Sequence, residues 1–242
     1  MTEHTFKRFD AELEDIRSRV LAMGGLVEQQ ITSAMAGLAS GDLQALDAVI
    51  KNDERVNRHE VELDEACVQV IAKRQPTAID LRMVMMVIKT ITDLERIGDE
   101  AKKIAKRGRA AHRGTTNPGE GITNLAVIPR IDLAPMAAVA VAMLRMALDA
   151  FARVDVSTSA QVARQDSEVD AGFKAAMRQL ITYMMEDPRT ISSSLDLIFI
   201  AKAIERIGDH AKNISEYVVY MAKGRDVRHI GIAEMEKEIA QG

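Results

Sequence analysis

A five-residue word, Glu-Arg-Ile-Gly-Asp, occurs twice in this chain of 242 residues, at 95–99 and again at 205–209. Each copy lies in a long stretch whose apolar residues recur at helical spacing, and the second copy follows the first by 110 positions. An identical word at matching places in two halves indicates an internal duplication, in which one structural unit is built twice. The chain is therefore expected to form two similar units that carry the same chemistry.

The remaining sequence predicts that each unit is a bundle of three helices. Helix-forming residues dominate, aromatic residues make up 3% of the chain, and it contains only five prolines. Apolar periodicity predicts helices at 5–39, 42–73, 77–112, 131–153, 157–186 and 190–223, with a marginal helix at 232–239. Short connections make neighbouring helices antiparallel. We therefore expect an all-α, elongated six-helix protein made of two tandem three-helix bundles.

Composition also indicates where these units meet. Glycine and proline are concentrated between Gly114 and Pro135, and this stretch breaks the helical pattern. We expect a first repeat at 5–113, a linker at 114–130, a second repeat at 131–224 and a C-terminal tail at 225–242.

Charge and hydropathy exclude several classes of protein. A net charge of −4 argues against binding to nucleic acid. No apolar run of roughly 18–20 residues, the length of a membrane span, is evident, and the first ten residues are too polar for a signal peptide. The single cysteine, Cys67, excludes an internal disulfide. These features predict a cytoplasmic protein.

Each copy of the repeated word carries two carboxylates four positions apart, which places them on one face of a helix. They are Glu95 and Asp99 in the first half, and Glu205 and Asp209 in the second. On a helical wheel the glutamates border the apolar stripe, where an unpaired charge is costly. The second helix of each half repeats the spacing, with Asp53 and Asn57 in one half and Asp166 and Asp170 in the other. We expect the pairs of each half to face one another across the bundle.

Two interpretations of these carboxylates stay open on spacing alone. Internal salt bridges would satisfy them, with Arg96 and Arg206 as the obvious partners. Alternatively, oxygen ligands that converge between helices would bind a hard cation such as Mg²⁺, Mn²⁺, Ca²⁺ or iron. The Glu-x-x-His motif of ferritin-like di-iron proteins is missing from the chain, which argues against an oxidase centre.

Several segments together resemble the PhoU family of phosphate-transport accessory proteins. The resemblance runs from about Phe9 to Ile230 and rests on the segments 23–30, 72–77, 80–82, 94–99, 183–187 and 204–209. It implies two three-helix bundles related by a pseudo-two-fold axis, commonly assembled as a homodimer. It also implies a negative regulator of the phosphate-starvation response. Such a regulator links the ATP-binding subunit of the phosphate transporter to the sensor histidine kinase, and meets the membrane only through these partners.

The resemblance further implies multinuclear metal clusters bound by the paired carboxylate motifs. The metals would be divalent Mg, Mn, Fe, Zn or Ni, or ferric iron. In the second repeat the motif is matched by Asp166, Asp170, Glu205 and Asp209. In the first repeat Asp53, Glu95 and Asp99 match, but Asn57 stands where a carboxylate is expected. An amide oxygen can ligate a hard metal without adding charge. The first site is therefore predicted to be the weaker one.

The segment Asp80-Leu81-Arg82 has no clear copy in the second repeat, where Ser192 to Leu195 occupies the region. This asymmetry predicts a partner-binding surface with Asp80 and Arg82, unless Arg82 only pairs within its own bundle, with Asp80 or Glu54.

We expect a non-enzymatic adaptor of phosphate signalling. The alternatives are a metal-dependent enzyme, of phosphatase or oxidase type, and a bundle that stores or senses metal. The enzyme alternative lacks an identifiable nucleophile with its base.

Overall fold

The computed structural model describes residues 2–113, 129–228 and 230–240, which contain seven α-helices, one short 3-10 helix and no strand. The α-helices are α1 (Thr2–Ser40), α2 (Leu43–Arg74), α3 (Ala78–Arg113), α4 (Ala134–Arg153), α5 (Ser157–Glu186), α6 (Ile191–Lys223) and α7 (Ile232–Ala240). The all-α prediction is confirmed, and the six long helices lie within a few residues of their predicted positions. Most of the predicted linker, 114–130, falls outside the described residues.

Local sequence explains several helix ends. The Oδ1 atom of Asp42 accepts hydrogen bonds from the backbone N–H groups of Gln44 and Ala45, at 2.9 and 3.0 Å. This contact satisfies donors that the first turn of α2 leaves unpaired. The 3-10 helix Pro188–Thr190 precedes α6. Gly224 ends α6 with a φ of +71°, a left-handed conformation that glycine adopts without steric cost.

The three long helices of each half pack against one another, and α3 and α6 form the most extensive contact between the halves. Helix α1 also packs against α4. At this crossing a Cβ added to Gly24 would lie 2.5 Å from Cδ1 of Leu148, so the glycine permits close helix packing. One hydrophobic core of buried residues runs through both halves. The two bundles therefore share a core around a central helix pair.

The glycine of the repeated word has the same role in both halves. A Cβ added to Gly98 would lie 3.2 Å from Cγ1 of Val56, and one added to Gly208 would lie 3.4 Å from Cγ1 of Val169. Each valine comes three residues after the aspartate predicted as a ligand on its helix. The glycines thus let the second and third helices of each half approach closely where both carry carboxylates.

Helix α4 is long and apolar enough to cross a membrane by length and composition, which inspection of the sequence did not anticipate. It packs against α1, α5 and α6, and half of its apolar window is buried inside the protein. A core helix of a helical bundle meets the same criteria, so this helix is weak evidence for a membrane span.

The tail forms the predicted marginal helix as α7, which packs against α5. Ala163, Val219, Val227 and Met235 make a small second core beneath it. The tail is therefore held onto the second half by apolar contacts and lies next to the end of α6.

Candidate functional site

In the first repeat, α2 and α3 place Asp53 beside the pair Glu95 and Asp99. Asp53 is 1% exposed, and its Oδ2 accepts a hydrogen bond from Nζ of Lys102 at 2.5 Å. The same ammonium lies 3.6 Å from Oδ1 of Asp99. Lys102 is therefore the counterion of this cluster. The charge of Arg96, the cation indicated by spacing, lowers the pKa of Glu95 and of Glu60, but its guanidinium lies 4.0 Å from Oδ1 of a different carboxylate, Asp93.

The second repeat has the same arrangement. Nζ of Lys212, the counterpart of Lys102, donates a hydrogen bond to Oδ2 of Asp166 at 2.8 Å. Nζ of Lys202 lies 2.5 Å from Oε2 of Glu205, whose side chain is 13% exposed, whereas Asp209 is exposed. Arg206 pairs elsewhere, as Arg96 does. Lysines four residues after the repeated glycines thus neutralise both clusters.

The predicted carboxylates of each repeat interact electrostatically. Burial is the largest cause of a raised pKa for Glu95 and for Asp209, and neighbouring carboxylates raise the pKa of each further. The neighbours are Asp99, Glu60 and Asp53 in the first repeat, and Glu205, Asp166 and Asp170 in the second. The fold therefore gathers the predicted carboxylates of each half, while Asn57 lies exposed at the edge of the first cluster.

Glu60 is a member of the first cluster that the sequence reasoning missed. It lies three residues after Asn57 and so shares a helix face with it. Burial raises the pKa of Glu60, and the nearby carboxylates of Asp64 and Asp99 raise it further. Glu60 thus adds a carboxylate to the cluster in which Asn57 contributes only an amide. Helical spacing could have found it, because i and i+3 positions are neighbours.

Carboxylate oxygens are donors of the kind that hard cations prefer. Among the described residues the buried Oδ1 atom of Asp53 has no hydrogen-bond partner, and the crowded carboxylates favour added positive charge. However, no three carboxylate, imidazole or thiol groups of the described residues converge closely enough to hold one ion. A hard metal ion would have to draw these carboxylates together and displace a lysine ammonium from its aspartate. Such an ion would be held by Asp53, Glu95 and Asp99, or by Asp166, Asp170, Glu205 and Asp209.

A buried polar cluster between α3 and α6 was not predicted. Nδ1 of His210 lies 2.7 Å from Oδ1 of Asp93, and Nε of Arg206 lies 2.9 Å from Oε1 of Glu100. Both carboxylates are 2% exposed. Helical spacing within one repeat does not show which side chains meet across the two halves. These pairs fix the register of the two repeats, since a buried charge without its partner is strongly destabilising.

The predicted partner residues lie at the start of α3. Arg82 is half-buried, and its guanidinium lies against Gly224, where an added Cβ would come 2.0 Å from Nη1. Among the described residues Arg82 forms no ion pair with Asp80 or Glu54, the partners that spacing within the bundle offered. The adjacent Leu81 is exposed. Among the described residues the guanidinium is therefore packed against backbone and has no carboxylate in ion-pair contact.

Comparison with known proteins gives a consistent result. A family model described as PhoU domain matches residues 20–108 and 133–218, once in each half. A "Phosphate-specific transport system accessory protein PhoU homolog" from Pseudomonas aeruginosa is 43% identical over 240 residues, which are 99% of this chain and 95% of that protein. The corresponding protein of Escherichia coli K12, named "Phosphate-specific transport system accessory protein PhoU", is 44% identical over the same lengths.

Two solved structures share the fold. The crystal structure of PhoU from Pseudomonas aeruginosa superimposes with a TM-score of 0.80 at 43% identity, covering 90% of this chain and 100% of that one. The phosphate transport system regulatory protein PhoU from Streptococcus pneumoniae gives a TM-score of 0.79 at 27% identity, covering 90% and 99%. With the domain matched in both halves and relatives above 40% identity over nearly the full length, this chain belongs to the PhoU family.

Proposed function

We propose that the protein is a cytoplasmic, non-enzymatic adaptor that keeps the phosphate-starvation response off when phosphate is plentiful. It acts between the ATP-binding subunit of the phosphate transporter and the sensor histidine kinase. The observation that carries the proposal is the match, over 99% of this chain, to proteins named as accessory to phosphate-specific transport. The following features of the structure support it.

The charged groups of the described residues favour binding over catalysis. Asp93 with His210 resembles part of a catalytic dyad, but among the described residues the buried Nε2 of His210 has no hydrogen-bond partner. A base of this kind needs a nucleophile within hydrogen-bond reach of that nitrogen. The geometry therefore supports an adaptor over a phosphatase-like or oxidase-like enzyme.

The start of α3 has the properties of a partner-binding surface. Ile79, Leu81 and Met85 are exposed apolar residues around Arg82. Hot spots of protein interfaces are enriched in arginine and are surrounded by contacts that exclude water. Asp80 lies beside them in the first turn of α3. We assign this surface, with Asp80 and Arg82, to one of the two signalling partners.

A second apolar surface supports the proposal that the protein acts as a homodimer. It lies where α5 and α6 meet, and its exposed members are Ile181, Met185, Ile191, Leu195 and Phe199. We assign these exposed apolar residues to the interface between two copies, since exposed apolar patches mark interaction sites. Light scattering at micromolar concentration should give twice the monomer mass of 26.6 kDa, and a monomer mass would contradict the assignment.

We also propose that the two carboxylate clusters bind divalent or ferric ions, whose added charge would offset the repulsion among their carboxylates. This proposal concerns a structural or sensing role and is separate from adaptor function. The second candidate function is a bundle that stores or senses metal. Metal analysis of protein purified anaerobically tests this candidate. It would be favoured if the metal content follows the metal supply and the protein binds neither partner.

The adaptor proposal is tested by crosslinking in phosphate-replete cells followed by capture of the protein. We expect both the transporter ATP-binding subunit and the sensor kinase to be recovered. Recovery of both should fall in cells starved of phosphate. If neither partner is recovered from replete cells, the adaptor role is wrong.

A further inference from the structure

A cavity of about 300 Å³ lies at one end of the central helix pair. Its walls are the first turns of α3, the last turns of α6 and the segment that follows α6. Methionine and tyrosine side chains give it apolar sides, and charged groups from all three elements face into it. This combination of apolar walls and a few converging polar groups is typical of a small-molecule site.

Two cations in this cavity form no close ion pair, although the charge of Lys89 helps to lower the pKa of the nearby Asp226. Arg82 and Lys89 form no ion pair within the part of the chain that the structure describes. Nζ of Lys89 lies 5.5 Å from the ring centroid of Tyr217. A third cation, Arg228, is already held by Asp226, which accepts a hydrogen bond from Nε of Arg228 at 2.9 Å. Arg82 and Lys89 are therefore the groups that attract an anion into the cavity.

Glu216 provides the cavity with a buried acceptor. It is 5% exposed, and no hydrogen bond or ion pair to another described residue satisfies its carboxyl group. Burial raises the pKa of Glu216 to about 7. The surrounding charges are Lys212 and Arg228, which lower this pKa, and Asp166 and Asp226, which raise it. Near neutral pH this carboxyl group is therefore protonated in part. It can donate its proton to a ligand oxygen or, when ionised, accept a hydrogen bond from a ligand that carries a proton.

A ligand that fits must satisfy both kinds of group at once. It needs negative charge for the guanidinium of Arg82 and the ammonium of Lys89, and an O–H donor for the ionised form of Glu216. A phosphate group meets both needs, because phosphomonoesters have a second pKa of about 6 and so retain a proton in part near neutral pH. Sulfate carries the charge but no proton at this pH, so it pairs with Glu216 only while that carboxyl group is itself protonated.

We propose that this cavity is a phosphate-binding site in which Arg82 and Lys89 neutralise the anion and Glu216 forms a hydrogen bond with it. The ligand is orthophosphate or a small phosphomonoester, since the cavity has room for both. The inference deepens the proposed adaptor function and rests on it for its physiological meaning. Because Arg82 also belongs to the proposed partner surface, a phosphate bound in the cavity would change the charge that the partner contacts there.

The opposite end of the central pair supplies a matched comparison. At the same offset of 110 positions, Arg82 corresponds to Ser192, Lys89 to Phe199 and Glu216 to Lys106. Neither the arginine nor the buried carboxylate has a counterpart there. A substitution at Lys106, which is exposed, therefore serves as the control for one at Glu216.

Isothermal titration of the full chain, in a buffer free of phosphate and sulfate at neutral pH, tests the proposal. Orthophosphate, sulfate and glycerol 2-phosphate are the three probes. We expect saturable binding of a phosphate probe and weaker binding of sulfate, because sulfate can pair only with the protonated form of Glu216. A tighter Kd for glycerol 2-phosphate than for orthophosphate would identify the ester as the ligand class, and the reverse order would identify the free ion.

Variants assign the binding to this cavity. Arg82→Gln and Lys89→Met should each weaken phosphate binding by about tenfold or more, as loss of a charge-assisted contact does. Glu216→Gln should narrow the difference between the affinities for phosphate and for sulfate, whereas Lys106→Gln should leave both affinities unchanged. Circular dichroism checks that each variant is folded. Absence of saturable phosphate binding, or equal binding of phosphate and sulfate, would overturn the proposal and leave partner capture, the test of adaptor function, unaffected.

Discussion

The middle and the ends of the α3–α6 pair differ in how far the duplication has been retained. In the middle, the repeated word, the glycine contact with a valine and the lysine counterion recur in both halves. At the ends, residues at equivalent positions have different charges: Arg82 and Ser192, Lys89 and Phe199, Lys106 and Glu216, Arg107 and Tyr217. We infer that the middle of the pair holds the residues that each bundle needs for its packing. The ends hold residues for a function that only one of the two repeats performs.

One contact shows how the ends diverged while packing was kept. Nζ of Lys89 lies 5.5 Å from the ring of Tyr217 at one end, and the guanidinium of Arg107 lies 4.5 Å from the ring of Phe199 at the other. Helix α3 supplies the cation at both ends, and α6 supplies the ring. A cation over an aromatic face is favourable in either case. The packing of a cation on a ring is therefore the same at both ends, but the charged and polar groups of the two ends differ.

The largest expected effect comes from reversing charge at one end only. Arg82→Asp should derepress a phosphate-starvation reporter in high phosphate to nearly its starved level, because Arg82 is unpaired within the described chain and faces the proposed partner. The matched variant Ser192→Asp places the same charge at the exposed equivalent position of the second repeat and should leave the reporter repressed.

Helical circular dichroism and melting should stay near wild type in both variants. A reporter that remains repressed with Arg82→Asp would remove this residue from the partner surface. Equal derepression by both variants would contradict the asymmetry of the two ends.

A smaller effect tests whether the two lysine counterions are equivalent. Lys102→Met should destabilise the protein by about 3 kcal/mol, because it leaves the buried Asp53 without its cation. Lys212→Met should lower stability by about 1–2 kcal/mol, since the side chain of Asp166 is 12% exposed and that of Asp53 only 2%. Denaturant unfolding measures both values.

The lysine variants also test the proposed metal sites. Mn²⁺ should restore more of the lost stability in each variant than in wild type, because the ion would replace the missing ammonium. A lack of any Mn²⁺ effect in both variants would count against metal binding at these clusters.

The smallest effect concerns the crowded carboxylates themselves. A carboxyl group whose pKa is raised by folding binds its proton more tightly in the folded chain, so folded-state stability falls as pH rises through that pKa. In metal-free protein, Glu95→Gln should therefore raise Tm at pH 7 and have little effect near pH 4, about the ordinary pKa of glutamate. Asp209→Asn should act in the same direction, because neighbouring carboxylates also raise the pKa of Asp209.

Glu168→Gln, on an exposed position of α5, is the control and should leave Tm unchanged at both pH values. A decrease in Tm for Glu95→Gln at pH 7 would show that this carboxylate is satisfied in the folded protein and does not repel its neighbours.

Most of the fold could be predicted from the sequence because its determinants are local. Apolar periodicity, the Asp42 cap and the glycines of the repeated word act within a helix or between neighbours in one repeat. The grouping of Asp53 with Glu95 and Asp99 followed from the same spacing. It could not be predicted that Lys102 and Lys212 would serve as counterions, because arginines lay nearer in sequence.

What sequence reasoning missed depends on contacts between the repeats. The pairing of His210 with Asp93 joins residues 117 positions apart, and no periodicity within a helix reports it. The cavity beside Arg82 is likewise formed by two helices of different repeats and by the segment after α6. Such sites depend on how the duplicated units dock, and that requires the three-dimensional structure.

The most direct test of the adaptor is the coupling between its two partners. The affinity of the purified protein for the kinase sensor region should be measured with and without the transporter ATP-binding subunit. We predict that the subunit changes this affinity by at least about fivefold, that the kinase changes the affinity for the subunit by the same factor, and that Arg82→Asp abolishes the coupling. Independent binding of the two partners, with each affinity unchanged by the other, would contradict the account.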